Sequence, residues 1–189
     1  GRLSSCDNQK TVQVTRRKGG IDGYGVSPQG DRLFYVKKVR TAKHESKDVH
    51  PDMDKSKALI YDDLMARHWN YWERGDYSHI FIADISGGEG KDIMPGETWD
   101  APMAPYFDIA EIAWNNAGTQ LAYTCKKLNG RLYAESTDSD IYLYDLAGGT
   151  TVNLTEGMPG YDKYPVFSPD DSKIAFRSMA RPGNEADKD

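Results

Sequence analysis

Cysteine is scarce in this chain of 189 residues, which contains only Cys6 and Cys125. Two cysteines do not make the disulfide framework that holds a small secreted domain together. Cys125 stands at the end of a predicted strand, where a cysteine usually behaves as a small buried residue. Cys6 belongs to a different repeat of the pattern described below, so we expect no bridge between the two thiols.

Long hydrophobic runs are missing as well. No apolar stretch approaches the roughly 20 residues that a membrane-spanning helix needs. The opening residues GRLSS also lack the apolar segment of a secretory signal. We therefore expect no membrane contact. The chain is either cytosolic or separated from its natural beginning, and the repeat pattern below favours the second.

Basic residues are outnumbered: the chain has 24 Lys and Arg residues and 29 Asp and Glu residues, so its net charge is -5. A nucleic-acid partner requires a basic surface that neutralises phosphates. The longest basic cluster, residues 16–18 (RRK), reads as a solvated turn. We therefore expect no nucleic-acid partner.

Short apolar segments separated by turn residues are abundant, and they are clearest in residues 109–156. This stretch predicts one antiparallel sheet of four strands. A tight turn, NNAG at 115–118, joins the first two strands, and its glycine can take the positive φ that closes a hairpin. The predicted strands are 109–114, 120–126, 140–146 and 151–155.

The same pattern returns on both sides of this sheet. Residues 21–39 and 161–180 each match its first two strands, with the turns SPQG at 27–30 and SPDD at 168–171 in the place of NNAG. Asp171 fits least well, because the fourth turn position favours glycine. A repeating four-stranded unit of roughly 40–50 residues is typical of a β-propeller blade.

We therefore predict an all-β chain: a partial β-propeller of about two and a half four-stranded antiparallel blades, with a partly helical insertion at residues 41–76. The predicted divisions are the end of one blade, a blade that carries the insertion, a linker followed by a complete blade, and the start of a further blade. Their ranges are 1–18, 19–95, 96–156 and 157–189.

The insertion is charged at first and aromatic afterwards. Residues 41–57 read as a solvated loop, and residues 58–74 predict a short strand at 59–61 followed by a helical turn or two. At four-residue spacing, such a helix would bring Leu64, His68 and Trp72 onto one face.

Metal-ligating residue types lie close together in the first half of the insertion. No predicted helix or strand holds these side chains in place, so a solvated loop is the better interpretation than a metal site. We expect neither a metal nor another cofactor. The residues concerned are His44, His50, Asp52 and Asp54.

Three longer strings resemble a known family. They are YDDLMARHWNYWERGDYSHIFIADI at 61–85, YAESTDSDIYLYDL at 133–146 and SMARPGNEADKD at 178–189. Together they resemble the amino-terminal propeller of prolyl-oligopeptidase-family serine peptidases, in the dipeptidyl-peptidase V-like branch. The resemblance extends from about residue 24 to residue 188. The SPDD-type turns are less specific, because TolB-like propellers share them.

The resemblance implies a secreted or periplasmic parent enzyme that releases dipeptides from peptide amino termini. In such enzymes an α/β-hydrolase domain with a Ser-Asp-His triad follows the propeller. This chain contains no G-x-S-x-G, the nucleophile elbow of that domain. We therefore predict a portion without catalytic residues of its own, which gates and positions peptide substrate for the missing hydrolase domain.

The same resemblance suggests two groups of substrate-binding residues. Trp69 and Trp72, beside His68, either line a peptide-binding cavity or simply pack the insertion against the propeller. Arg181, Glu185 and Asp187 follow the last strand, where a carboxylate can pair with the free amino terminus of a peptide.

Two alternatives remain. One is a TolB-like propeller that serves as a protein-binding scaffold, for which a Trp-rich insertion has little use. The other is self-association, because an incomplete propeller leaves blade edges with unpaired backbone groups.

Overall fold

The computed structural model of the chain describes residues 4–7, 10–14 and 18–183, with side chains from residue 13 onward. Most of the regular secondary structure in these ranges is β-strand, as predicted. The elements, in chain order, are β1 (Ser4–Asp7), β2 (Lys10–Gln13), β3 (Gly23–Val26), β4 (Arg32–Arg40), α1 (Ser46–Val49), β5 (Arg67–His68), β6 (Tyr71–Trp72), β7 (Asp76–Asp84), β8 (Lys91–Asp92), β9 (Ile112–Trp114), β10 (Gln120–Cys125), α2 (Gly130–Glu135), β11 (Asp140–Asp145), β12 (Thr150–Asn153), β13 (Lys163–Phe167) and β14 (Ile174–Arg177), with single 3-10 turns at Pro51–Met53 and Ile109–Glu111.

Two four-stranded antiparallel sheets form the body of the fold. The first sheet has the order β3-β4-β7-β8, and the second has the order β12-β11-β10-β9. In the second sheet β10 pairs with β11 from Gln120 opposite Asp145 to Cys125 opposite Asp140. In the first sheet β4 and β7 pair along nine residues, and the insertion leaves from their far end. Both sheets thus have the four antiparallel strands that were predicted for a blade.

Two shorter sheets lie at either end of the described chain. β13 pairs with β14, and β1 pairs with β2. The third hairpin turn, 168–171, joins β13 to β14. The strand registers show that it lies at the same end of the fold's strands as the turns 27–30 and 115–118 of the other two sheets. The insertion and the linker of residues 95–108 lie at the end of the sheets opposite to these turns.

The core lies between the first and second sheets. Phe34 and Val36 of β4 point into it together with Leu121 and Tyr123 of β10. The intervening side chains of β4 pack on the other face of the first sheet. This strand is therefore buried on both faces, which explains why it is apolar throughout instead of alternating.

Cys125 is fully buried in the same core, as predicted. Burial raises the pKa of its thiol, because a thiolate is poorly solvated there. Its Sγ lies 3.6 Å from the carbonyl oxygen of Asp100. The side chain of Cys6 lies outside the described residues, so the expected absence of a bridge stays a prediction.

The insertion differs from its prediction. The helix expected in residues 58–74 is wrong: β5 and β6 form a two-stranded hairpin there, with Arg67 opposite Trp72. Aromatic residues favour extended backbone, and Trp69 at the turn takes a left-handed φ of 48°. The expected strand at 59–61 is reduced to one bridge between Glu45 and Leu59.

The helical part of the insertion lies instead in the segment predicted to be a loop. α1 is followed by the 3-10 turn that Pro51 begins, a position where proline costs no hydrogen bond. The hydroxyl of the buried Ser46 donates to the carbonyl of Ser56. No helix in the described ranges is long and apolar enough to cross a membrane.

Candidate functional site

An aromatic cleft of about 560 Å³ lies between the β5–β6 hairpin, the linker and the start of α2. We call it the hairpin cleft. It is lined by Lys38, Leu64, Met65, His68, Trp69, Tyr71, Trp72, Glu73, Arg74, Asp76, Tyr77, Thr98, Asp100, Ala104, Pro105, Phe107, Leu128, Asn129, Gly130 and Tyr133.

The hairpin presents two indole rings at the mouth of this cleft. Trp69 is 64% exposed and Trp72 is 54% exposed, so neither is a core residue. The ring of Trp69 contacts the edge of Tyr106, with the centroids 6.1 Å apart. Trp72 stacks on Tyr61 at 6.1 Å. Trp69 therefore ties the hairpin to the linker, Trp72 ties it to the rest of the insertion, and both rings leave apolar surface open to a ligand.

At the floor of the hairpin cleft, the carboxylate of Asp100 already has hydrogen-bond partners within the chain. Asp100 accepts hydrogen bonds from Nζ of Lys38 at 3.0 Å and from the backbone N–H of Ser78 at 2.6 Å. Nζ of Lys38 also lies 4.1 Å from the ring centre of Phe107. This ion pair fixes the linker against β4 and β7.

Glu73 is the second carboxylate of the floor. Its Oε1 accepts hydrogen bonds from the N–H groups of Arg74 at 2.9 Å and Gly75 at 3.1 Å. Burial raises the pKa of Glu73 above its usual value, and the negative charge of Asp100 acts in the same direction. A carboxylate in such a place gains from a cationic ligand, because the cation offsets the cost of burial.

Glu73 was missed from the sequence, where it is one acid among many. The only local signal is Gly75, whose φ of 84° and tight approach to the carbonyl of Ala42 exclude a side chain. Glu73, two residues before this glycine, lines the cleft. Tyr77 lies beside it, and burial raises the pKa of the Tyr77 phenol to about 12.

A second cleft, of about 440 Å³, lies between the linker and the β13–β14 hairpin. We call it the tyrosine cleft. Its lining consists of Tyr106, Asp108, Tyr161, Lys163, Tyr164, Arg177 and Met179.

Lys163 is the buried cation of the tyrosine cleft. Its Nζ lies 2.6 Å from Oε1 of Glu111 and donates to the hydroxyl of Tyr161 at 3.1 Å. Burial works against the ammonium, but the hydrogen bond to Glu111 prevails and raises the pKa of Lys163. The pair joins the 3-10 turn that precedes β9 to β13.

Only some of the predicted site residues line a cleft in the structure. Trp69 and Trp72 both line the hairpin cleft, together with His68. Arg181 is exposed and is not among the residues that line either cleft. Glu185 and Asp187 lie outside the described residues. Trp69 and Trp72 are thus brought to one cleft, and Arg181 is not part of it.

The cluster of His44, His50, Asp52 and Asp54 does not form a site in the structure. In the described ranges no group of three or more His, Cys, Asp or Glu side chains is arranged to hold a metal ion. His44 packs instead on Tyr61, with ring centres 5.0 Å apart.

Comparison with known proteins finds no matching family model but clear relatives. The chain is 44% identical over 172 residues to dipeptidyl-peptidase 5 of Porphyromonas gingivalis, which is 89% of this chain and 25% of that protein. It is 44% identical over 184 residues to dipeptidyl-peptidase 5 of Porphyromonas endodontalis, 96% of this chain and 26% of that protein. Identity to the Aspergillus oryzae protein of that name is 27% over 154 residues, 70% of this chain and 21% of that protein.

Solved structures support the fold. Putative TolB from Agrobacterium tumefaciens matches with a TM-score of 0.54 and 19% identity, over 95% of this chain and 48% of that one. The tricorn protease matches with a TM-score of 0.53 and 16% identity, over 89% of this chain and 12% of that one. The chain spans about a quarter of the curated relatives it matches. It is a homologue of that quarter of dipeptidyl-peptidase 5, and its sheets are the blades of a β-propeller.

Proposed function

We propose that this chain is a non-catalytic propeller portion of a dipeptidyl peptidase, which gates and positions a peptide for a serine hydrolase domain that is not part of this sequence. The observation that carries the proposal is the hairpin cleft, in which Glu73 lies among aromatic residues. The 44% identity to two dipeptidyl-peptidase 5 proteins supports the same assignment. Placement of the parent protein in the periplasm or outside the cell belongs to this proposal and rests on the family resemblance.

The chemistry of the hairpin cleft suits the amino-terminal end of a peptide. The exposed faces of Trp69 and Trp72 can cover an apolar side chain. Glu73 offers a carboxylate to the ammonium group that distinguishes a peptide end from an internal segment. We thus assign to Glu73 the contact that the sequence suggested for Glu185 or Asp187.

The second candidate function is a TolB-like scaffold that binds a protein partner. It is favoured by the match to almost half of the Agrobacterium tumefaciens TolB chain. Val166 of β13 is 62% exposed and Val26 of β3 is 47% exposed. These apolar faces would suit a protein partner or a second copy of the chain better than a peptide end.

The two functions are separated by titrating the purified chain with the dipeptide Phe-Ala and with N-acetyl-Phe-Ala, following tryptophan fluorescence. We expect the free dipeptide to bind and the acetylated one to bind at least about tenfold more weakly, because a hydrogen bond to a charged group is lost. Glu73→Gln should weaken binding of the free dipeptide similarly, while Glu135→Gln, on exposed α2, should not.

Catalysis is tested on the same sample. We expect no hydrolysis of dipeptidyl p-nitroanilides, and turnover by uncontaminated chain would contradict the non-catalytic assignment. Equal binding of free and acetylated dipeptide, or no binding of either, would instead favour the scaffold.

A further inference from the structure

The insertion leaves the first sheet through a narrow neck. Arg40, the last residue of β4, lies opposite Asp76, the first residue of β7. The N–H groups of residues 41 and 42 both donate to the carbonyl of Gly75, at 2.9 and 3.2 Å. The two ends of the insertion therefore leave the sheet side by side. We call residues 40–42 and 73–76 the neck, and residues 43–72 the lid.

The lid has a small core of its own. Its two halves are joined by the stack of His44 on Tyr61 and of Tyr61 on Trp72. The N–H of Ile60 also donates to the carbonyl of His44 at 2.8 Å. Because these contacts lie within the lid, it can keep its internal shape without support from the sheets.

Few contacts join the lid to the rest of the fold. None of its residues belongs to the core between the first two sheets or to the apolar cluster on the other face of the first sheet. Among the described residues, no hydrogen bond or ion pair joins the lid to a residue beyond the neck. Across the hairpin cleft, the ring of Trp69 meets Tyr106, and a Cβ at Gly130 would lie 2.6 Å from the carboxylate of Asp63. The lid can therefore separate from the linker and from α2 without breaking a hydrogen bond.

The hairpin cleft lies between the lid and the rest of the fold. Trp69 and Trp72 line it from the lid, whereas Glu73 lines it from the neck and Asp100 and Phe107 line it from the linker. The carboxylate of Glu73 is fixed at the neck by the N–H groups of the next two residues. Movement of the lid would thus separate the two indole rings from this carboxylate, and its return would cover a ligand held there.

We propose that the lid turns about the neck, opens the hairpin cleft to admit a peptide and closes over the bound peptide, with the contact of Trp69 and Tyr106 as its latch. This inference rests on the proposed function and names the element that gates the cleft. Lids of this kind pivot about a few residues at the ends of regular elements. A ligand shifts the lid towards the closed state, because its contacts with the two indole rings exist only there.

Ion pairs at the neck limit how far the lid turns. The guanidinium of Arg40 lies 3.5 Å from Oε1 of Glu45 and 3.6 Å from Oδ2 of Asp48, both in the lid. It also pairs with Asp76 at 3.2 Å. The side chain of Arg40 is 40% exposed, so salt screens these pairs. High salt should therefore loosen the neck and leave the aromatic latch in place.

The test measures the distance between two spin labels on the full chain by double electron–electron resonance. One label is attached at Asp52→Cys on the lid and the other at Glu135→Cys on α2, both at exposed positions. Cys6→Ser leaves the buried Cys125 as the one native thiol. We expect two populations, one at the distance that the structure gives and one at a longer distance. Saturating Phe-Ala should shift the lid to the shorter distance.

Matched variants locate the latch. Tyr106→Leu should raise the ratio of open to closed lid about twofold to tenfold, because one aromatic pair is lost. Tyr106 does not line the hairpin cleft, so the groups proposed to bind Phe-Ala stay in place. Tyr24→Leu removes a similarly exposed tyrosine from β3 and should leave the ratio unchanged. Arg40→Gln should broaden the longer distance, and high salt should do the same in the unaltered chain.

Failure of this inference differs from failure of the proposed function. A single narrow distance that neither Phe-Ala nor Tyr106→Leu alters, with tryptophan fluorescence still reporting Phe-Ala binding, would overturn the lid and leave the amino-terminal site in place. Equal shifts in Tyr106→Leu and Tyr24→Leu would also overturn it. A shift in Tyr106→Leu alone, without binding of Phe-Ala, would support the lid and contradict the proposed function. One unaltered distance without any binding would overturn both.

Discussion

The carboxylate of Asp171 accepts a hydrogen bond of 2.7 Å from the backbone N–H of Asn116, in the hairpin turn of the neighbouring sheet. It also accepts one of 2.8 Å from the N–H of Ala117. The turn 27–30 of the first sheet makes a similar contact with the turn of the second sheet, because Nε2 of Gln29 donates to the carbonyl of Asn116 at 2.7 Å. Side chains at the turns therefore tie three successive sheets together at one end of the fold.

This contact explains why a turn position that favours glycine holds an aspartate. Asp171 takes a φ of 58°, where Gly30 and Gly118 stand in the other two turns. We expect Asp171→Ala to lower the urea midpoint of unfolding, because it loses the hydrogen bonds and keeps the left-handed backbone. Asp171→Gly should be less harmful, because it relieves that backbone. Equal midpoints for Asp171→Ala and the unaltered chain would contradict the contact.

The same contact predicts a response to acid. Burial opposes ionisation of Asp171, but the N–H groups of Asn116 and Ala117 prevail and hold its pKa below the usual value. A lowered pKa in the folded state means stability that is present above the unfolded pKa, near 4, and lost as the pH falls through the folded value. The difference between the unaltered chain and Asp171→Asn should therefore shrink as urea unfolding is measured from pH 6 towards pH 3.

Trp69 offers a test in which stability and binding move apart. A tryptophan with a φ of 48° at a hairpin turn is strained, and a glycine would not be. We expect Trp69→Gly to leave the melting temperature unchanged or slightly higher, although it deletes a ring that contacts Tyr106. The affinity for Phe-Ala should fall at least about tenfold, since a stacking ring is removed. Trp69→Phe is the control that keeps a ring, and it should keep most of the affinity.

His79 is fully buried with an acceptor at each ring nitrogen. Nδ1 lies 2.8 Å from Asp92 and Nε2 lies 3.0 Å from the carbonyl of Glu97. Burial disfavours the charged ring, but the hydrogen bond to Asp92 prevails and raises the pKa of His79 above 6.5. A raised pKa in the folded state gives stability that is complete below pH 6.5 and is lost as the pH rises through the folded value.

We therefore expect His79→Gln to cost most at acidic pH, about 2 kcal/mol from the hydrogen bonds to a buried charged ring. The cost should become smaller towards pH 9, as measured by urea unfolding at a series of pH values. His50→Gln, at an exposed position, should show no such trend. A cost for His79→Gln that is constant or grows with pH would show that the buried ring is neutral.

The pair of Glu111 and Lys163 joins the 3-10 turn that precedes β9 to β13. Glu111 is fully buried and also accepts a hydrogen bond of 2.7 Å from the N–H of Met103. Lys163→Met should lower the free energy of unfolding by about 3–5 kcal/mol, because it leaves a buried charge without its partner. Glu111→Gln with Lys163→Met in one chain should cost less than Lys163→Met alone. Additive costs in this double-mutant cycle would show that the two side chains do not interact.

The strands could be predicted because their signals are local. Apolar segments such as 120–126 are bounded by turn residues, and the turn chemistry recurs at the same place in each repeat. The observed β10, Gln120–Cys125, ends within one residue of that prediction. The insertion could not be predicted in this way, because an aromatic run with four-residue spacing is compatible with either a helix or a hairpin. Contacts of Trp72 with Tyr61 and of Trp69 with Tyr106 favour the hairpin, and both lie across a gap in sequence.

The amino-acid sequence by itself determined the repeat of antiparallel four-stranded units, the place of the insertion and the excess of acidic residues. The first two depend on neighbours a few positions apart, and the third is a matter of composition. Only the tertiary structure decided that Glu73 faces an aromatic cleft and that Arg177 faces a second cleft beside it. Both depend on the linker, through Tyr106 and Phe107, lying between segments that are distant in the chain. Burial and long-range contacts create these environments, and no local pattern of residues specifies them.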